Sequence, residues 1–288
     1  MIEAMLEHAL AGRIRPASAP FESAFDGHWH TERLGHHEPV VSALRGGLLS
    51  DRLAWVFAAG YQAAIRVIFP DVHPEGWAAY SAAEDAENLA DRPGTRITPT
   101  ADGGWTISGH KSWIGGSRRV NHLIVTARGI GSEAPDVTVR VDARAPGVLI
   151  SHRDAPGFLS EFSQGFANFD AAPCSAPSPW PFDEVRRFSR LEARFVMLSG
   201  AAFLMGHTKD PDAKQDFIPL ILALAETCRN DAIEPRTMAA IDKVFQKSVA
   251  RFEANTDLAH WPTWDADRRL LTMYSARIQR RAARAAEV

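Results

Sequence analysis

Gly103-Gly104-Trp105-Thr106-Ile107-Ser108-Gly109-His110-Lys111-Ser112-Trp113-Ile114 is the stretch whose reading decides the fold. Two glycines open it, as a turn requires, and β-branched and aromatic residues follow in the composition of a strand. Working outward, Leu123-Ile124-Val125-Thr126, Val137-Thr138-Val139-Arg140-Val141 and Val148-Leu149-Ile150-Ser151 are further short β-branched runs. Gly115-Gly116 and Pro146-Gly147 punctuate them. This pattern predicts a small antiparallel barrel or sandwich over about residues 75–180.

On both sides the period changes to that of helices. Leu53, Val56, Phe57, Tyr61, Ala64, Ile65 and Ile68 recur at helical spacing, with Ser50 placed as an N-cap and Pro70 as a stop. Residues 16–39, rich in Pro, Gly and His, read as loop. Beyond residue 180, Leu191, Phe195, Leu198, Ala202 and Met205 form one stripe, and Ile241, Phe245, Val249 and Phe252 a second. Leu270, Tyr274 and Ile278 form a third. The expected fold class is α+β and multidomain: N-terminal helices over 1–74, a central antiparallel β-barrel over 75–180 and a C-terminal helical bundle over 181–288.

Composition excludes several classes. The chain has 288 residues, 45% of them hydrophobic and 23% charged, which is enough for sizeable cores. A net charge of −3 argues against phosphate neutralisation on nucleic acid as the main task. Asp51, Arg52 and Arg66 interrupt the longest apolar run, Leu48 to Phe69, which therefore reads as a buried helix and not a membrane span. No signal peptide is evident, and Cys174 and Cys228 form neither a metal spacing nor a disulfide framework, so a cytoplasmic setting is expected.

The β region resembles the acyl-CoA dehydrogenase family. Residues 103–114 are similar to its glycine-glycine hairpin with a Gly-x-Lys-x-Trp-Ile core, and Asn121 to Arg128 to the strand after it. Val141-Asp142 with Pro146-Gly147-Val148 resembles its following turn, and Phe166 to Pro173 a later strand ending in Pro. The helical regions match more loosely, and two C-terminal segments of the family, an Arg-x-x-Phe-Gly run and a Gly-Gly-x-Gly turn, are missing. The resemblance implies FAD against the β domain, an acyl-CoA or related acyl thioester as substrate, an electron-transfer protein as acceptor and a homo-oligomer, commonly a homodimer. Hydride passes to the flavin while a glutamate takes an α-proton.

Residue by residue, the resemblance puts Trp113 where an aromatic packs on the flavin ring. Ile114 and Gly115 follow it, and Gly115 stands where the family has a hydroxyl residue. Tyr80, Ser81 and Ala82 fall in the flavin-binding loop, where only Glu84 of the family's Thr-Glu-Pro-x-x-Gly-Ser-Asp survives. The two family positions for the base are Ala193 and Ser275. Glu192, one residue from the first, is therefore the leading catalytic candidate and Glu84 the second. These departures carry an alternative: a degenerate member that keeps the scaffold as a binding or subunit-partner protein.

Other constellations have plainer readings. His28, His30, His36, His37 and Glu38 lack a zinc-site frame and read as loop. No Gly-x-Gly spacing opens a βαβ unit. Arg277, Arg280, Arg281 and Arg284 make the last helix basic, which suits a solvated face first, and otherwise nucleic acid, an acidic partner or coenzyme phosphates. Trp261 and Trp264 would anchor that helix.

Overall fold

The computed structural model describes residues 1–154, 157–179, 182–230, 232–261 and 263–286, the side chains of 179, 182–186 and 260 excepted. The chain divides into two compact units. One comprises Met1–Val67, Gly157–Glu161 and Ser189–Val288, and the other Ile68–Pro156 and Phe162–Phe188. Both helical stretches of the sequence thus contribute to the first unit.

The N-terminal helices are α1 (Ile2–Leu10), α2 (Glu22–Thr31), α3 (Pro39–Leu49) and α4 (Leu53–Ile68). Helix α2 lies inside the segment expected to be loop. Its Asp, Gly, His and Thr content gives weak intrinsic propensity, but Phe25 and Trp29, one turn apart, are fully buried and hold it. The Ser50 hydroxyl donates to Gly46 O at 2.7 Å, so this residue closes α3 and does not cap α4. Every residue of α4 from Leu53 to Arg66 is buried. Among the described residues no helix is long and apolar enough to cross a membrane.

The C-terminal stretch supplies α5 (Phe182–His207), α6 (Pro211–Gln215), α7 (Phe217–Arg229), α8 (Pro235–Asn255), α9 (Trp264–Asp267), α10 (Arg269–Thr272) and α11 (Ser275–Arg284). All five residues of the predicted α5 stripe are buried. Two glycines let helices meet backbone to backbone. A Cβ on Gly47 of α3 would lie 2.3 Å from Ser199 O of α5, and one on Gly60 of α4 would lie 2.7 Å from Val196 N. Trp261 and Trp264 pack tilted against Phe252, 5.9 and 5.8 Å between centroids.

The sheet unit contains β1 (Trp77–Ser81), β2 (Arg96–Pro99), β3 (Trp105–Gly115), β4 (Val120–Ala127), β5 (Val137–Asp142), β6 (Val148–His152), β7 (Gln164–Cys174) and β8 (Ser178–Pro179). They form two four-stranded sheets, ordered β1-β4-β5-β8 and β2-β3-β7-β6. The architecture is α+β as expected, with two sheets in place of a closed barrel. The β1–β4 pair is parallel, a departure from the all-antiparallel expectation. Between them the chain passes through β2 and β3 of the other sheet, and such a crossover returns a strand in the same direction. Ile97, Ile107, Ile114, Leu123, Val125, Val139, Val141 and Phe169, drawn from both sheets, share one core.

Candidate functional site

Strand alternation turns Lys111 of β3 inward, where it is fully buried. A buried ammonium needs partners. Its Nζ reaches Glu84 Oε1 at 2.9 Å, Thr126 Oγ1 at 3.1 Å and Ala82 O at 3.5 Å. Arg128, just past β4, donates to both Glu84 oxygens at 3.1 and 2.8 Å. Burial favours the neutral acid, but the hydrogen bonds and charges of Arg128 and Lys111 win and hold Glu84 down at about 2. Burial pulls Lys111 down to about 8, with Glu84 opposing. Glu84 is therefore an ionised clasp, which removes it as a candidate proton acceptor.

The clasp also fixes the segment after β1 against β3. Ser112 N–H donates to Ala83 O at 2.9 Å. Tyr80, Ser81 and Ala82 are in this way brought near Trp113, Ile114 and Gly115, although more than thirty residues separate the two groups. Their exposures differ. Tyr80 is buried between Phe69 and Phe188, at ring distances of 5.9 and 4.5 Å. Ser81 is fully buried, and its hydroxyl has no hydrogen-bond partner among the described residues. Ile114 lies in the core and Gly115 is buried. Solvent reaches Ala82 and Trp113.

The glycine at 115 has a local explanation. A Cβ there would lie 2.8 Å from Trp113 Cη2 and 3.2 Å from Phe162 Cε1. The space of the absent hydroxyl residue is filled by the indole two residues earlier and by Phe162. Trp113 Nε1–H donates to Gln164 Oε1 at 3.4 Å. Beside this platform, Ser112, Glu84, Arg92, His110, Arg153 and Phe166 line a surface cavity of about 530 Å³. Arg92 pairs with Asp85 at 3.2 Å, and Arg153 donates to Ser112 O at 3.1 Å. Asp85 and Glu87 line the same cavity, so with Glu84 its carboxylates outnumber its two guanidinium groups, and it is not a site prepared for phosphates.

In the helical unit, the two base positions are both occupied by non-bases. Ala193 is buried. Ser275 opens α11 and donates its hydroxyl to Asp242 Oδ2 at 2.7 Å. Gln279 donates to the same oxygen at 2.6 Å, and Gln246 to Oδ1 at 3.2 Å. Asp242 is buried and satisfied by three donors, so Ser275 belongs to a structural network joining α8 and α11. Asp242 lies 33 residues upstream, and its only sequence mark is a lone acid on an otherwise apolar face of α8.

Glu192 behaves differently. Part of its side chain meets solvent, but the carboxyl itself is enclosed by protein, and that burial raises it to about 7, with Arg277 opposing. The nearby Tyr274 phenol is also pushed up, by burial and then by Glu192 and Tyr61. A carboxyl near 7 is poised to exchange a proton at neutral pH. Among the described residues no group of three or more His, Cys, Asp and Glu is placed to hold a metal ion. His28 and His30 lie on α2.

The sequence matches no family profile and no curated protein. Solved structures do match along the whole chain. An FAD-dependent dehydrogenase superposes with a TM-score of 0.67 at 11% identity, over 99% of this chain and 97% of that one. The fold is that of the acyl-CoA dehydrogenases. The acyl-CoA dehydrogenase of Geobacillus kaustophilus gives a TM-score of 0.62 at 11% identity, over 98% of this chain and 89% of that one. The prolyl acyl carrier protein oxidase AnaB gives 0.64 at 10% identity, over 99% and 97%.

Proposed function

We propose that this chain is an FAD-dependent oxidoreductase that removes two hydrogens from the Cα–Cβ bond of an acyl thioester. The observation that carries the reading is the agreement of the whole fold with an FAD-dependent dehydrogenase, through 97% of that chain. Two local features support it: the half-buried Trp113 and a carboxyl near 7 on Glu192.

In this reading Trp113 stacks on the flavin ring. When bound, FAD supplies the acceptor for the β-hydride. Glu192 takes the α-proton, so the substrate loses one proton and one hydride and gains a C=C bond. Its raised pKa makes it a stronger base than a solvated glutamate while leaving it largely ionised above pH 7. Cys174 and Cys228 are free thiols, in keeping with a reducing, cytoplasmic setting. A homo-oligomer and a separate electron-transfer protein complete the proposal.

The absorbance spectrum of the purified chain tests it. Flavin bands that survive gel filtration, or appear on reconstitution with FAD, are expected. Protein that stays colourless and retains no FAD overturns the reading.

A second reading is favoured by Ala193 and Ser275, the non-bases at the two base positions, the serine with its hydroxyl committed to Asp242, and by Gly115 in place of a hydroxyl residue. There the chain is a scaffold without chemistry, serving as a binding or subunit-partner protein. Turnover of acyl thioesters with an artificial acceptor, lost in Glu192→Gln, would exclude it.

A further inference from the structure

The corner between α3 and α4 carries three consecutive carbonyls, and each accepts from a different segment of the helical unit. Leu49 O takes the Ala17 N–H at 2.8 Å. Ser50 O takes Nε2 of His207, the last residue of α5, at 3.0 Å. Asp51 O takes the indole N–H of Trp261 at 3.2 Å. A carbonyl only accepts, so His207 carries its proton on Nε2. The imidazole and the indole lie nearly perpendicular, 5.0 Å apart at 84°. Trp261 also packs against Phe203 at 6.2 Å and Phe252 at 5.9 Å.

Trp261 is lightly held. It follows a single 3₁₀ turn, Leu258–His260, which has little stability of its own, and its side chain is partly exposed. Burial makes the His207 ring hold a second proton less tightly than usual, with the Ser50 bond and Asp51 opposing and Lys214 adding. Among the described residues, Asp51 from the corner and Lys214 from α6 are the charged groups that act on the ring. Burial disfavours the Asp51 carboxylate, yet Arg52 and the Ala19 N–H hold it below its usual value. It stays ionised throughout the range in which a histidine titrates, so the imidazole is the group that changes. A charged imidazole needs water that a neutral one does not. Of the rings packed on it, Phe203 is buried within α5, whereas Trp261 can leave without opening a helix.

We propose that His207 is the pin of an acid-operated latch in the helical unit. Neutral, it holds Trp261 against the α3–α4 corner. Protonated, it keeps its bond to Ser50 O and draws in water, and the Leu258–Trp261 segment lifts away while the surrounding helices stay folded. Latching favours the neutral ring, so it is complete above the ordinary histidine value of 6.5 and is lost as pH falls through that value toward the lower one of the latched protein. Each unit between the two values shifts the latch equilibrium about tenfold. The latch does not rest on the flavin reading.

Fluorine NMR of the full chain labelled with fluorotryptophan tests this between about pH 8 and about pH 5, a range that spans histidine titration. Lines are assigned from the corresponding tryptophan-to-phenylalanine variants. The Trp261 line is expected to move toward the frequency of the free amino acid with a midpoint below 6.5. The lines of Trp29 and Trp55, both buried in the same unit, should stay in place. In His207→Gln the amide still donates to Ser50 O but does not titrate, so the Trp261 line should remain at its latched position throughout. A second measurement does not need that variant to fold. Proton–carbon NMR of the His207 ring gives its own midpoint, which Trp261→Ala should raise toward 6.5, because the coupling is reciprocal. A Trp261 line that does not move, one that moves equally in His207→Gln, or Trp29 and Trp55 lines that move with it overturns the proposal. So does a His207 midpoint that Trp261→Ala leaves unchanged.

Discussion

Replacing Glu84 by Gln keeps the shape of the clasp and removes its negative charge. Lys111 then sits fully buried with only Thr126, Ala82 and a neutral amide to accept from it. Breaking a buried pair from one side costs about 3–5 kcal/mol. The lysine has an escape, which caps the loss. Surrendering its proton at pH 7, against an ordinary value of 10.5, costs about 1.4 kcal/mol per pH unit, or about 5 kcal/mol in all. At pH 9 the same step costs about 2 kcal/mol. The folded-state pKa of Lys111 in the variant lies below its unfolded value, so stability is regained as pH rises. Urea unfolding followed by tryptophan emission at pH 7 and pH 9 reads both quantities. Wild-type Lys111, held at about 8, also sheds its proton over this window, so the expected loss is about 3–5 kcal/mol at pH 7, shrinking by about 1 kcal/mol at pH 9. A loss below about 1 kcal/mol, or one that does not change with pH, refutes the reasoning. Adding Lys111→Met to Glu84→Gln should restore much of the stability, since the stranded charge is then gone.

Glu192→Gln should abolish turnover while flavin binding persists. In the wild type the rate should fall below about pH 7 as Glu192 protonates. Because its folded pKa is raised, stability carried by the protonated form is lost between the ordinary value of 4.5 and about 7. The Gln variant should therefore be the more stable protein at pH 8, by up to about 3 kcal/mol in thermal or urea melts. Gly115→Ser should push the indole of Trp113 outward, costing about 1–3 kcal/mol and shifting tryptophan emission to the red; an unchanged spectrum would count against the packing described. Ser275→Ala should lower stability by about 1–2 kcal/mol by removing one of three donors to Asp242, without the loss of rate expected of a proton acceptor. Gly47→Ala should destabilise the helical unit by several kcal/mol in urea melts, because the new methyl meets the Ser199 backbone.

The strands were legible because β-branched runs separated by Gly and Pro are a local signal, and α4 and α5 because their apolar period persists over several turns. Helix α2 was not, since two buried aromatics hold a segment of poor propensity and no neighbouring residue advertises that. The parallel β1–β4 pair depends on the route between strands, which composition does not encode. The resemblance brought the residues on either side of the clasp into one neighbourhood, yet Tyr80 and Ser81 proved shielded because their strand is covered on both faces. Glu192 was chosen by its place beside Ala193. Its shifted carboxyl is a product of tertiary burial, and so is the partnership of Ser275 with Asp242.

The contact between Trp113, Gly115 and Phe162 makes these three positions interdependent. A side chain at 115 and the present seat of the indole exclude one another, and Phe162 closes the remaining way out. A hydroxyl cannot be regained at 115 by one substitution without displacing the aromatic platform beside it. Room must first be made at 162, and only then does a serine at 115 become compatible with an indole at 113. The order of changes, and not only their identity, decides which variants of this strand can fold and still present a flat ring.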